Sequence, residues 1–417
     1  MRNAQRFDLS DWLIHFFRTL DLETANIPPI PDHWGFANEV EDTKLSPFFL
    51  LRNAVRRSKL WTTWSIRGNK RTIYGSSPAV CFTEMPLAAF IESGKSRAVR
   101  GEAMSAYGLM FRKKELFKEG ARPVIYGLSV NASMPNGENR GVRIIPHDVL
   151  PALEQYRYVA YNPNFKYPID WTHEREWRFP YRGEMPEDEE MWLPTDQDSI
   201  PSLELSKPNL SGMGAVVKTQ IQAEKLIYDI LTKIDSGELD QAHYAHVLCL
   251  ESLPDTQKLR DPIEVDEAIN ANLLKLDPYF SMSEEEAELL ETQFSKMVED
   301  IEEKASEPEL GEFGKCWLWV LNNTHPLTRA LVRTGRVIVS SDGRYLARLP
   351  EFSDSRSLRQ RENMTRKLAD LLLTKFNIES GYFSVLGYDD PDGIPFYCDV
   401  GGDNRYFYNY AHDEFDY

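Results

Sequence analysis

Residues 106–130 read AYGLMFRKKELFKEGARPVIYGLSV. An apolar, aromatic run at 106–111 and a second at 123–130 each have strand length. The charged stretch between them, near 113–119, has the composition of a short helix. Working outward, the same strand signal recurs at 156–161 and in THEREWRF at 172–179. Upstream, FDLSDWLIHFFR at 7–18 places Leu13, Ile14, Phe16 and Phe17 in an apolar run with His15 inside it. AVCFTE at 79–84 is a strand stopped by Pro86, with a helix beginning about Leu87. Many short strands with few helices between them predict an α+β fold rather than a doubly wound parallel sheet. One helix is expected within SPFFLLRNAVRRSKL at 46–60, with Phe49, Leu50, Val55 and Leu60 on its apolar side and Arg52, Arg56 and Arg57 on a basic one.

At 417 residues the chain exceeds the size at which one core keeps growing, so two or three domains are expected. Aromatics spread from Trp12 to Tyr417 supply core material throughout, which argues against a disordered acidic polymer despite the net charge of -17. The acidity is uneven. Residues 1–200 hold 26 basic and 26 acidic side chains, residues 201–417 hold 22 and 39, and the stretch 51–122 holds 15 and 5. A basic field of that kind attracts polyphosphate or nucleic acid, unless it is only a solvated face balancing the acidic half. No apolar run approaches the length of a membrane span, and charges interrupt the first twenty residues, so no membrane association is expected. Cys81, Cys249, Cys316 and Cys398 lie far apart with no Cys-x-x-Cys pair, as expected for reduced thiols in a cytoplasmic protein.

Past residue 200, Ile221, Leu226, Ile227, Ile230, Leu231 and Ile234 predict a helix over 219–234. Ser283 with Glu286 three residues on predicts a capping box, followed by an apolar stripe from Leu289 to Ile301. An acidic, Pro-containing boundary at 302–312 precedes a compact unit. Its signals are Trp317–Leu321, a hairpin 336–340/344–349, a helix near 360–376, and strands around 382–386 and 395–400. The organisation expected is a first domain over 1–210, a helical connector over 211–305 and an acidic α/β domain over 306–417.

No Walker, dinucleotide-fingerprint, zincin or nucleophile-elbow pattern occurs. His243-x-x-His246-x-x-Cys249 has ligand-like spacing on a possible helix but no further ligand at a recognisable distance, so no metal is expected. The richer set is His15, Thr83, Glu84, Glu174 and Glu176. Read as one strand, 172–179 turns Glu174, Glu176 and Arg178 to one face and His173, Arg175 and Trp177 to the other. Paired carboxylates stabilise an oxocarbenium-like centre, hold a ribose hydroxyl or deprotonate an acceptor. The same pair beside an arginine also makes an ordinary salt-bridged sheet face, and a lone strand histidine is often a satisfied core residue.

The order of a strand histidine, a basic helix, the VCFTEMP strand and the late EREWR strand resembles a bacterial group of ADP-ribosyltransferase-like proteins, including DarT-type toxins and mRNA-modifying transferases of phage defence. The similarity covers about residues 10–180. It implies a small split β-sheet gripping NAD as substrate, with transfer of ADP-ribose and release of nicotinamide. By that resemblance Glu176 is the catalytic glutamate, Glu174 serves the acceptor, His15 orients NAD and Thr83 braces the nicotinamide ribose. Glu84 lies beside Thr83 in the same motif. Tyr107, Tyr126 and Trp64 compete as the aromatic that stacks on nicotinamide, and Arg18 and Arg67 as partners of the pyrophosphate. The opening His15-Phe16-Phe17 departs from the usual H-x-T pattern. The resemblance further implies a toxin of phage defence or of a toxin–antitoxin system, with an antitoxin protein as possible partner. The basic stretch favours a nucleic-acid acceptor over a protein. The rivals are a carboxylate-dependent nuclease or glycosidase and a non-catalytic binding module.

Overall fold

The computed structural model of the chain describes residues 9–21, 44–67, 70–99, 104–129, 143–164, 169–184, 201–253 and 264–398. The chain divides into two compact units, one of residues 1–223 with 242–274, the other of 224–241 with 275–413.

The first unit is built on β1 (Trp12–Phe16), β2 (Ala79–Thr83), β3 (Gly108–Arg112), β4 (Arg122–Pro123), β5 (Glu176–Pro180), β6 (Met213–Val217), β7 (Tyr244–Cys249) and β8 (Leu273–Lys275). They form one sheet in the order β8-β7-β6-β3-β1-β2-β5-β4. It is mixed: β6 and β7 run parallel, and the other recorded pairings are antiparallel. With its helices, α1 (Pro47–Arg57), α2 (Leu87–Val99), α3 (Lys113–Lys118) and α5 (Glu264–Asn272), this is the α+β class that the short strands predict; α4 (Gln220–Asp235) has only its first turn here and belongs from residue 224 to the second unit.

Alternation along the strands decides what each face carries. On one face Ile14, Met110, Val216 and Leu248 pack against Phe90 and Ile91 of α2. The other carries His15, Phe82 and Phe111 in edge-on ring contact. Full burial of such side chains contributes on the order of 2 kcal/mol each. β1 pairs with β3 along its whole length, yet with β2 only where Ile14 meets Thr83. The sheet therefore opens between β1 and β2.

α1 starts where Ser46 accepts the amide hydrogen of Phe49 and Pro47 supplies a preset first turn. It stops at Ser58, which is left-handed at φ 51°. The basic side of this helix is not a solvated face. Arg52, Asn53 and Arg56 are buried with the apolar side chains, and the Arg52 guanidinium lies over the Phe48 ring.

Several expected strands are shorter than their sequence signal. Of 123–130, the described residues 123–129 supply β4's last residue and a short strand Ile125–Tyr126, which pairs outside the large sheet with Tyr158–Val159, the contribution of 156–161 after a 3-10 turn at Ala152–Arg157. Within 172–179, Thr172–Glu174 is a 3-10 turn, Arg175 is left-handed at φ 46°, and the strand begins at Glu176. The stretch expected as a helical connector, 211–305, instead supplies β6, β7 and β8 to the large sheet, besides α4, α5 and α6 (Glu284–Glu303). Burial on both faces explains why β6, with Met213 to Val217 entirely buried, shows no alternation. The acidic stretch 184–190 with Pro186, which reads as a surface loop, lies outside the described residues apart from Glu184.

The second unit holds a four-stranded antiparallel sheet of β9 (Gly314–Val320), β10 (Val337–Val339), β11 (Tyr345–Ala347) and β12 (Ser380–Leu386), ordered β10-β11-β9-β12. α6, α7 (Pro326–Arg333) and α8 (Leu358–Phe376) pack on it through Phe294, Val298, Leu318, Leu331, Leu368 and Leu372. α6 carries the Ser283/Glu286 capping box and α8 a second, Ser357/Gln360. The β10–β11 hairpin turns through Gly343 at φ 78°. Of the strand expected at 395–400, the described part contributes one bridge, Phe383 to Cys398.

Candidate functional site

Ile14, Thr83 and Glu176 occupy one row across β1, β2 and β5. Cys81 and Arg178 are partners in the parallel row two residues on. The side chains of Thr83, Cys81, Glu176 and Arg178 therefore share a face. Arg178 Nε donates to Glu176 Oε1 at 2.8 Å, and its Nη1 donates to the Tyr156 carbonyl at 2.6 Å. Cys81 lies on this face beside the Glu176 carboxylate; burial first, and that carboxylate second, push its thiol well above its ordinary pKa. Cys81 is thus a protonated thiol at neutral pH rather than a nucleophile.

Glu174 reaches this place by a different route from the one its spacing suggests. It sits in the 3-10 turn before β5, and left-handed Arg175 breaks the alternation. Its carbonyl accepts from Thr83 Oγ1 at 2.6 Å, while its carboxylate accepts from Arg97 Nη1 of α2 at 2.9 Å. Both pairs are largely enclosed: the side chains of Arg97, Glu174, Arg178 and Glu176 are 12, 14, 4 and 13% exposed. Tyr126 completes the group. Its hydroxyl accepts the Glu176 amide hydrogen at 3.0 Å and donates to the Trp171 carbonyl at 3.2 Å. Burial raises its pKa. Of the three aromatics weighed for stacking, Tyr126 is the one beside Glu176.

The other candidates lie elsewhere. His15 is on the opposite face of β1 from Ile14, and its Nδ1–H donates to the Cys81 carbonyl at 2.9 Å between edge-on Phe17 and Phe82. Burial lowers its pKa to about 4, against the opposing pull of that carbonyl. The ring is neutral at pH 7 and half-buried on that face. Glu84 follows Thr83 and turns away from it, accepting from Lys113 Nζ and Trp177 Nε1, each at 2.7 Å. Tyr107 is buried against Phe48, its hydroxyl bonded to Gln222. Trp64 lies under the Arg71 guanidinium. Arg18 is exposed in the segment after β1, and the side chain of Arg67 lies outside the described ones. His243, His246 and Cys249 fall on or beside strand β7 rather than a helix. A spacing of three on a strand turns His246 and Cys249 to opposite faces, so no common ligand set forms.

Two members of the group, Cys81 and Arg97, were not among the sequence candidates. The period-two spacing of Cys81 and Thr83 marks the first. Arg97 is 77 residues from its partner, and no local signal joins them.

The basic stretch 51–122 is substantially consumed inside the unit. Besides Arg52 and Arg56, Arg97 pairs with Glu174, Lys113 with Glu84 and Lys118 with Glu115, while Arg71 and Arg112 lie over Trp64 and Trp12.

A family described as protein of unknown function (DUF4427) matches residues 282–410, inside the range of the second unit. Neither a curated protein nor a solved structure matches the chain. Among the described residues no helix is long and apolar enough to cross a membrane.

Proposed function

We propose that the first unit is an NAD-dependent ADP-ribosyltransferase with Glu176 as its catalytic carboxylate. The observation that carries this reading is the adjacency of the three strands bearing the resembling motifs, with Thr83 directly opposite Glu176 and the sheet opening between β1 and β2. NAD supplies the ADP-ribosyl group and nicotinamide as its leaving group. Glu176, held by Arg178, accepts a hydrogen bond from the ribose 2′-hydroxyl and opposes the charge developing at the anomeric carbon. Glu174 takes the proton of the incoming acceptor. Tyr126, not Tyr107 or Trp64, is the aromatic at this carboxylate. His15 does not fit an NAD-orienting role beside Glu176, because its ring lies on the other face of β1 from the row of Ile14, Thr83 and Glu176.

The acceptor proposed is a nucleic acid, in a setting of phage defence or toxin–antitoxin control with an antitoxin as partner. Since much of the basic stretch is paired internally, few phosphates are contacted and the salt dependence of transfer is shallow. The test is incubation of the full chain and of Glu176→Gln with isotopically labelled NAD and a cell extract, followed by separate nuclease and protease digestion. Label transferred by the parent alone and lost to nuclease is the expected result. Loss to protease makes the acceptor a protein, and absence of transfer removes the reading.

A second reading has its own observation. Glu174 and Glu176 each hold a buried arginine, Arg97 and Arg178, as carboxylates that only brace a sheet do. Under that reading Glu176→Gln changes stability and no activity.

A further inference from the structure

A cleft of about 580 Å³ lies at the Pro180 end of β5, the opposite end of the strand from Glu176. That volume is typical of a small-molecule site. Its lining holds three carboxylates and three cations, but two of the carboxylates are paired with cations from outside the lining, Lys59 and Arg157. The three carboxylates on its wall are each answered: Glu119 by Lys207 at 3.0 Å, Glu204 by Lys59 at 3.5 Å, and Glu154 by Arg157. Two guanidinium groups on the same wall are not. Arg122 spends Nη1 on two neutral carbonyls, those of Phe117 and Ala121, and Arg182 is exposed with no carboxylate partner among the described residues. Both line the cleft together with Tyr156.

The rest of the wall is aromatic. Tyr156 and Phe179 are buried at its base, and Lys207 covers one face of the Phe179 ring at 5.3 Å. Tyr181 is half-buried, and no other ring packs on it among the described residues. Gly183 leaves room for it: a Cβ there would stand 2.3 Å from the Tyr181 hydroxyl. Two forked cations favour a phosphate, since guanidinium matches it with paired donors. A half-buried tyrosine with no aromatic neighbour beside them favours a flat base, and the paired carboxylates retain lone pairs for sugar hydroxyls.

We propose that this cleft is a binding site for a 5′-phosphorylated nucleoside, with Arg182 and Arg122 on the phosphate and Tyr181 stacked on the base. The site is independent of the transferase reading. Its lining takes in Phe179, Pro180 and Tyr181 but neither Glu174 nor Glu176.

The probe is AMP titrated into the full chain by calorimetry, with adenosine, inorganic phosphate and a 5′-phosphorylated trinucleotide as further arms. AMP binds, while adenosine and phosphate each bind at least tenfold more weakly. Arg182→Gln and Tyr181→Ser each weaken AMP about tenfold, whereas Glu176→Gln leaves its affinity within twofold, which separates this cleft from the NAD site. A tighter trinucleotide identifies a nucleic-acid end as the source and a tighter AMP a free nucleotide. No AMP binding at millimolar concentration, phosphate binding as tightly as AMP, or affinity lost with Glu176→Gln but kept with Arg182→Gln each overturns the proposal. Loss of NAD turnover bears only on the transferase reading.

Discussion

Thr83 stands directly opposite Glu176 in the β2–β5 pairing, yet its hydroxyl donates to the main-chain carbonyl of Glu174, at 2.6 Å, and not to the Glu176 carboxylate. The same oxygen accepts the amide hydrogen of Met85 at 3.1 Å. One buried hydroxyl thus ties the turn carrying Glu174 to the end of β2.

Thr83→Val keeps the shape and deletes both bonds, at a cost of about 1–2 kcal/mol. Released from Thr83, the turn exposes the Arg175–Glu176 bond to trypsin, whereas Thr83→Ser retains the parent's resistance. Equal cleavage rates in all three proteins would sink this account.

Arg178→Met leaves Glu176 enclosed without its cation and two carbonyls, of Tyr156 and Tyr158, without their donor. The expected loss is about 3–5 kcal/mol in urea denaturation. Adding Glu176→Gln restores a substantial part, because the uncompensated charge goes. Additive losses in that cycle would show that the two side chains do not interact.

His15 and His246 are both held neutral by burial, with pKa values lowered to about 4 from an ordinary 6.5. Between those values the unfolded chain binds the additional protons, so this stability is fully present above about pH 6.5 and is lost as the pH falls towards 4. Each histidine contributes on the order of 2 kcal/mol to that slope. His246 lies over Gly214 and edge-on to Trp12, with its pKa further lowered by Arg112. His246→Phe therefore flattens the urea midpoint between pH 7 and pH 4.5, and an unchanged slope would contradict the assignment.

In the second unit Asp235 receives both Nη groups of Arg329, at 2.5 and 2.8 Å, and the Tyr345 hydroxyl at 2.7 Å. With the two charged side chains 7 and 4% exposed, Arg329→Met strands a buried carboxylate and costs about 3–5 kcal/mol. Arg329→Met with Asp235→Asn recovers part of it. A loss below 1 kcal/mol in the single variant would mean that water reaches Asp235.

The sequence signals that match observed elements are local ones. Ser283 and Glu286 close a capping box within one helical turn, and the helix expected over 219–234 runs Gln220–Asp235. The signals that misled required a neighbour. A basic side on α1 reads as solvated, but Arg52 and Arg56 are covered, one of them by Phe48. Residues 172–179 read as one strand because nothing in THEREWRF marks Arg175 as left-handed; its amide is held by Thr172 and its carbonyl by Glu84.

By itself the sequence determined the strand-rich α+β character, the Ser283/Glu286 cap of α6 and the concentration of candidate chemistry in Thr83, Glu174 and Glu176, because strand period, capping and turn chemistry act over a few residues. Only the tertiary structure decided which side chains meet. It brought Arg97 to Glu174 across 77 residues, set Thr83 against Glu176, and turned His15 to the other face of β1. Side-chain direction follows strict alternation, so one left-handed residue or one choice of sheet partner changes which groups share a face, and neither is encoded within a single segment.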